Sequence, residues 1–104
     1  MDGGVILDYK QIKEIMLSLG LEEGENSEGT KFTFRKGKNH IKIIDRLKPS
    51  LNGGVVGYVY VEELNDFKGI YSKHGHIPIR KLDSESYLKD IVKRMIEHFD
   101  EIWK

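Results

Sequence analysis

Apolar residues recur with the spacing of an α-helix over residues 8–19. The i, i+3, i+4, i+7 series places these side chains on one face: Ile12, Ile15, Met16 and Leu19. Asp8 and Gln11 are three positions apart, so each side chain can accept a hydrogen bond from the backbone of the other in a capping box. Gly20 follows directly, and glycine commonly ends a helix in the left-handed conformation. The pattern predicts a first helix from Asp8 to Leu19.

A longer helical pattern occupies the end of the sequence. Asp83 or Ser84 is the predicted N-cap, and the helix extends to about Trp103. One face is apolar over four turns, with Leu88, Ile91, Val92, Met95, Phe99, Ile102 and Trp103. The opposite face is charged, as expected for a helix that packs on the rest of the protein along one side.

Between the two helices, alternation of apolar and polar residues predicts four β-strands. Thr30–Arg35 and His40–Leu47 form a hairpin around a turn at residues 36–39, and Val55–Glu62 is rich in Val and Tyr. A short fourth strand covers Ile70–His74 and continues past Gly75 to Ile79. Pro78 cannot donate a ladder hydrogen bond, so this strand is expected at a sheet edge or at a bulge.

Strict alternation also assigns the faces of the second strand. It places Ile41 and Ile43 on one side, and Lys42, Ile44 and Arg46 on the other. Asp45 then shares a face with the first pair. We expect this carboxylate to be partly buried and paired with a Lys or Arg of a neighbouring strand.

The remaining segments are predicted to be irregular. Residues 22–29 are acidic, contain two glycines and have no apolar side chain, so they predict a mobile loop. Residues 1–6 are a candidate flexible segment. The predicted order is α-β-β-β-β-α, with strand connections too short for helical crossovers. The fold class is therefore α+β: one domain with an antiparallel four-stranded sheet and both helices packed on one face.

Composition restricts the class of function. The 104 residues include 17 Lys and Arg, 17 Asp and Glu, and no Cys, which excludes disulfides, thiol catalysis and zinc sites built on cysteine. No stretch approaches the ~20 apolar residues of a membrane span, and we expect a cytoplasmic protein that does not engage a membrane. High usage of Lys, Ile and Glu without any Ala is typical of AT-rich bacterial or phage genomes.

The hairpin carries most of the positive charge in the central part of the chain. Residues 31–48 contain seven basic side chains and one acid, Asp45. A basic β-ribbon can follow a phosphate backbone or enter a major groove. This alternative assigns nucleic-acid binding to Lys31, Arg35, Lys36, Lys38, Lys42 and Arg46. Zero net charge and the acidic segment just upstream weaken this alternative. The same basic residues could instead form a solvated sheet face, because charged edge residues also keep sheets from aggregating.

Large amphipathic aromatic side chains mark a second candidate surface. Tyr and Trp are common anchors of protein interfaces, and the candidates are Tyr58, Tyr60, Tyr71 and Trp103. Trp103 either packs back on the sheet or presents an apolar knob to a partner. The other rings can equally complete a small core.

Histidines and carboxylates give no complete catalytic or metal-binding set. His74 and His76 can share a metal ion if they lie on one side of a strand and a third ligand arrives, but the sequence has no dense ligand spacing such as HExxH. Ser residues lack a nucleophile elbow, and Gly53, Gly54 and Gly57 precede a strand rather than a helix. We therefore assign no catalytic residue, cofactor or metal, and expect a regulatory or interaction module, monomeric or homodimeric, that binds a protein partner through the exposed sheet face and hairpin.

Overall fold

The computed structural model describes residues 7–51, 54–72, 74–82 and 84–103. The fold is α+β, as the sequence predicts, but the antiparallel sheet has five strands rather than four. The strands follow one another across the sheet in chain order. The elements are α1 (Tyr9–Ser18), β1 (Glu22–Asn26), β2 (Gly29–Lys36), β3 (Asn39–Pro49), β4 (Val55–Tyr60), β5 (His76–Pro78) and α2 (Glu85–Ile102), with short 3-10 helices at Asn65–Phe67 and Ile79–Lys81.

Local signals place the helix ends correctly. The Gln11 N–H donates to Asp8 Oδ1 over 2.8 Å and the Asp8 N–H donates to Gln11 Oε1 over 3.0 Å, which completes the predicted capping box. Gly20 has φ 87° after the end of α1. In α2 the N-cap is Ser84, whose Oγ accepts from the Tyr87 N–H over 3.1 Å. Asp83, the other predicted cap, lies outside the described residues, as do residues 1–6.

The prediction of a loop at residues 22–29 is wrong. Glu22–Asn26 forms β1, and it pairs with β2 from Glu22 opposite Thr33 to Asn26 opposite Gly29. This strand is an edge of the sheet and almost all of it is exposed, so it needs no apolar side chains. Backbone pairing with β2, rather than burial, holds it in place.

The predicted strand at Ile70–His74 is also wrong. The described part of this segment forms turns, and only His76–Pro78 pairs with β4. The Ser72 N–H donates to the His76 carbonyl over 2.9 Å, which closes the turn before β5. Pro78 does lie on an edge strand, as its missing N–H requires.

Both helices pack on the same face of the sheet. Thr30, Phe32 and Phe34 alternate along β2 on this face. The Tyr9 hydroxyl of α1 lies 2.7 Å from Thr30 Oγ1, and the Trp103 ring stacks on Phe34 at 5.9 Å beyond the end of α2. Phe32, between them, is fully buried. No described helix is long and apolar enough to cross a membrane. The other face of the sheet has no helix packed on it among the described residues, and we call it the open face.

The predicted faces of β3 are wrong. Ile43 and Ile44 are adjacent in sequence, yet both are 0% exposed. Strict alternation fails because β3 has an extra residue at Ile43, between the pairs Phe32–Ile44 and Thr33–Lys42. Ile44 therefore returns to the core, where it lies opposite Phe32 on one side and opposite Val59 on the other.

Candidate functional site

A second irregularity in β3 occurs at the centre of the open face. Between Asp45 and Lys48, β3 contains one more residue than the facing segment of β4, where Tyr58 and Val56 are their partners. Arg46 lies inside this bulge with φ 53°, and it is the one non-glycine residue with positive φ in the described chain. A left-handed conformation costs an L-residue about 1–2 kcal/mol, and bulges often redirect a side chain at a functional site. The sheet therefore holds Arg46 in a strained conformation.

The redirected Arg46 side chain lies over the ring of a tyrosine. Its guanidinium carbon is 4.2 Å from the centroid of the Tyr58 ring, within the range of a cation–π contact. Arg46 Nε is 3.3 Å from Asp45 Oδ2, although it is buried and makes no hydrogen bond to any described atom. The guanidinium therefore contacts both the Tyr58 ring and the Asp45 carboxylate.

Asp45 is the acid of this cluster. Its side chain is 14% exposed and lies 3.3 Å from Lys42 Nζ as well as from Arg46. Sequence analysis predicted a partly buried, paired Asp45, and this is confirmed. The predicted origin of its partners is wrong, since both come from β3 itself rather than from a neighbouring strand. The bulge brings Arg46 back toward the residue that precedes it.

The outer end of Arg46 remains available. Neither terminal nitrogen donates a hydrogen bond to a residue that the structure describes, and the side chain is 41% exposed. A guanidinium presents its donors in a planar fork that matches a carboxylate or a phosphate. Arg46 is therefore positioned to receive an anionic group from solvent or from a ligand.

Two open grooves meet at Arg46 and Tyr58. The first, of about 450 Å³, is bounded on its far side by Ile70, Tyr71, Ser72, His74, His76 and Pro78. The second, of about 480 Å³, is bounded by Ser27, Glu28, Lys48 and Val56. Ile70 and Val56 are 60% and 42% exposed, so apolar surface borders the guanidinium on both sides.

The first groove has basic and no acidic side chains in its lining. Arg46, His74 and His76 are the ionisable side chains there besides tyrosine. Burial lowers the pKa of His76 below its ordinary value of 6.5, which favours the neutral imidazole at neutral pH. Arg46 thus supplies the permanent positive charge of the groove.

Four of the six sequence-predicted cations lie within ion-pair distance of an acid, but two of these cations share one carboxylate. Arg35 Nε lies 3.0 Å and 3.2 Å from the two oxygens of Glu22, in the strand that sequence analysis missed. Lys36 reaches α2, where its Nζ is 2.8 Å from Asp100 Oδ1. With Lys42 and Arg46 on Asp45, these pairs leave no continuous row of unpaired cations on the open face.

The other two predicted cations lie apart from this cluster. Lys31 is opposite Gly24 at the β1 side of the sheet, and Lys38 is exposed in the turn between β2 and β3. Neither forms an ion pair with a described residue. The six candidates for nucleic-acid binding are therefore distributed over the open face, the hairpin turn and the helix side.

The aromatic candidates separate into two groups. Tyr58 and Tyr71 both line the first groove. Trp103 packs back on the sheet, stacked on Phe34 with an interplanar angle of 5° and 4.9 Å from the Phe99 ring. Of the two placements considered for Trp103, packing on the sheet is the one observed.

Tyr60 joins the second group. Its ring centroid lies 6.4 Å from that of Phe99 and 5.7 Å from that of His76. The Tyr60 hydroxyl donates to Glu63 Oε1 over 3.2 Å, and Glu63 Oε2 is 3.4 Å from His98 Nε2 of α2. Burial, followed by the nearby carboxylates of Glu63 and Glu62, raises the pKa of Tyr60 to about 12. Tyr60 thus helps to attach α2 to the sheet.

The two candidate metal ligands line the first groove, but not as a strand pair. His74 lies in the turn before β5 and His76 lies in β5, and the backbone N–H of each donates to Ser72 Oγ over 3.3 Å and 3.4 Å. No group of three or more His, Asp or Glu side chains suited to a metal ion occurs within the described ranges.

Three comparisons with known proteins add no relative. No family model matches the sequence, and searches of curated proteins and of solved structures return no match.

Proposed function

We propose that this protein is a small binding module that docks a protein partner on the open face of its sheet. The observation that carries the proposal is the conformation of Arg46: its backbone is strained, its guanidinium lies over the Tyr58 ring, and its terminal nitrogens donate no hydrogen bond to a described residue. Strain of this kind persists only when the surrounding structure enforces it, and it concentrates at functional positions. A strand that served only the sheet would be more stable with a residue that avoids this cost.

The composition of the surface around Arg46 supports a protein interface. Arg and Tyr are enriched among the residues that dominate binding energies, and they act best at the centre of a patch with a mixed apolar border. Tyr58 and Tyr71 provide the rings, and Ile70 and Val56 provide exposed apolar surface. Both grooves are open to solvent, which favours recognition over catalysis that depends on excluding water.

Nucleic-acid binding through the basic hairpin is the competing proposal, with weaker support. Four of its six residues are paired with acids of the same chain, and two of the four share Asp45: Arg35, Lys36, Lys42 and Arg46. The Tyr58 ring carries a guanidinium on one of its faces, where a base would otherwise stack. A chain of zero net charge also lacks the overall field that attracts polyanions.

Site-directed photo-crosslinking tests the proposal. A photoreactive amino acid is introduced in place of Val56, which is exposed beside Arg46, and in a second variant in place of Lys93, which is exposed on α2. Both variants are expressed in the cells that make the protein naturally, irradiated, and analysed for adducts by mass spectrometry. We expect a discrete protein adduct from position 56 that position 93 does not give.

A binding measurement with the purified partner completes this test. Calorimetric titration should show that Tyr58→Ala weakens binding, whereas Lys93→Met does not, with folding of both variants checked by circular dichroism. Equal adducts from the two positions contradict the proposal. So does full affinity in a folded Tyr58→Ala variant. A single-stranded oligonucleotide that binds at about 50 mM salt, and is released as salt rises, would favour the competing proposal instead.

A further inference from the structure

We infer that the partner contributes a short acidic segment, whose carboxylate is received by the guanidinium of Arg46 and whose apolar neighbour lies in the groove between Tyr58 and Tyr71. This inference rests on the proposed function and specifies the chemistry of the partner. Its first support is the unoccupied fork of Arg46. A carboxylate accepts two parallel hydrogen bonds from such a fork, and a charge-assisted pair of this geometry is stronger than a neutral hydrogen bond.

Orientation of the fork provides the second support. Nε lies 3.3 Å from Asp45 Oδ2 and the guanidinium carbon lies 4.2 Å above the Tyr58 ring, so the side chain is held before any ligand arrives. An arginine fixed in this way loses little conformational freedom on binding. Ligand and Asp45 approach different edges of the same plane, which allows the internal contact to remain.

Charge complementarity provides the third support. The lining of the first groove includes Arg46 and no carboxylate, and the lining of the second groove includes both Lys48 and Glu28. Asp45 is mostly buried and already shared by two cations. An acidic segment therefore meets favourable potential at the junction of the grooves, whereas a basic segment meets repulsion.

Apolar walls distinguish a peptide from a simple anion or a nucleic acid. Ile70, Tyr71 and Pro78 line the same groove as Arg46, and Ile70 is 60% exposed. A free phosphate gains nothing from these side chains. A polynucleotide needs several phosphate-binding cations in a row, whereas the junction offers one fixed guanidinium. A peptide can place a carboxylate and an apolar side chain at this spacing.

Selection from a random peptide library tests the inference directly. A phage library displaying peptides of about twelve residues is panned on the purified protein, and enriched peptides are synthesised and titrated by fluorescence polarisation. We expect enrichment of sequences in which Asp or Glu adjoins an aromatic or aliphatic residue. Arg46→Met, which retains a long side chain against Tyr58, should weaken a selected peptide by about tenfold or more. Lys93→Met, the matched loss of one positive charge on α2, should leave its affinity unchanged.

A double-mutant cycle assigns the contact. Replacing the peptide's acid by its amide should weaken binding to the natural chain by about tenfold and have little further effect on Arg46→Met. Equal effects of the amide on both chains overturn the inference, as does enrichment of basic peptides.

The remaining outcomes distinguish failure of this inference from failure of the proposed function. Selected peptides without acids that still lose binding to Tyr58→Ala overturn the acidic segment and leave the docking face in place. The inference is overturned if Tyr58→Ala leaves the affinity of the selected peptides unchanged, or if no peptide is enriched. The proposed function is tested separately by the crosslinks from position 56. Binding of an oligothymidine strand that Arg46→Met abolishes overturns it in favour of nucleic acid.

Discussion

Arg46→Gly should be more stable than Arg46→Ala, which is the reverse of the usual order of glycine and alanine in a β-strand. Within an ordinary strand, glycine is the less stable of the two because it loses more backbone entropy on folding. Arg46 has φ 53°, a conformation that glycine adopts freely and alanine does not. Both substitutions remove the same contacts with Tyr58 and Asp45, so their difference isolates the backbone.

The magnitude follows from two opposing contributions. The left-handed conformation costs alanine about 1.5 kcal/mol at the midpoint of the usual range, and glycine's entropy costs about 0.75 kcal/mol. Arg46→Gly should therefore be more stable than Arg46→Ala by about 0.75 kcal/mol. At Lys42, on the same strand but without positive φ, Lys42→Ala should be more stable than Lys42→Gly by about 0.75 kcal/mol. The difference between the two sites, about 1.5 kcal/mol, is the strain stored at Arg46.

Urea denaturation provides the assay. Trp103 is the single tryptophan of the chain and packs on Phe34 and Phe99, so its fluorescence reports unfolding. The four variants are compared at equal slope of free energy against urea, which indicates that only stability has changed. If glycine is less stable than alanine at Arg46 by the same margin as at Lys42, residue 46 is not held in a left-handed conformation and the reasoning about strain is refuted.

Three further predictions concern the core and two titrating groups. Ile44 is fully buried, so Ile44→Ala should lower the free energy of unfolding, measured in urea, by about 2–5 kcal/mol. Leu51 is fully exposed, and a loss no larger than that of Leu51→Ala would contradict the assigned core. Burial lowers the pKa of His76, so the free energy of unfolding should fall as pH drops through 6.5 toward the lower folded pKa. His76→Gln should lose less free energy of unfolding than the natural chain between about pH 7.5 and about pH 5. Equal losses in the two proteins would argue against the lowered pKa. The pKa of Tyr60 is raised to about 12, chiefly by burial, so Tyr60→Phe should leave the phenolate absorbance at about pH 10 unchanged, whereas a clear decrease there would contradict it.

The helices could be predicted because their signals are local. Asp8 and Gln11 cap each other across three residues, and the buried faces of both helices repeat within a few turns. No knowledge of the remaining fold is needed to recognise them. The observed α1 accordingly differs from the predicted helix by one residue at each end.

Strand β1 could not be predicted from the hydrophobic pattern because none of its residues is buried. Its five residues pack no apolar side chain and gain their order from β2, through backbone pairing and the ion pair of Glu22 with Arg35. A hydrophobic pattern detects strands with one buried face. An exposed edge strand lacks that pattern, and an acidic segment that contains glycine but no apolar side chain predicts a loop instead.

The candidate site was predicted in part. Arg46 is one of six cations that the sequence marks for nucleic-acid binding, and Tyr58 is one of four aromatic residues that it marks for a protein interface. Their contact depends on extra residues in β3, and a single insertion transfers every following side chain to the other face. Alternation alone cannot place such a bulge, because the insertion is defined by the register of the neighbouring strands.

Backbone amide chemical shifts give the most direct test of the open face as a docking surface. The ¹⁵N-labelled protein is titrated with the partner captured at position 56, and shift changes are mapped on the sheet and on α2. The account predicts that the changes concentrate at Arg46, Tyr58 and Tyr71, together with the Arg46 side-chain Nε–H, and that the amide of Lys93 is unaffected. Changes concentrated on the exposed side of α2, with the Arg46 resonances unmoved, would contradict it.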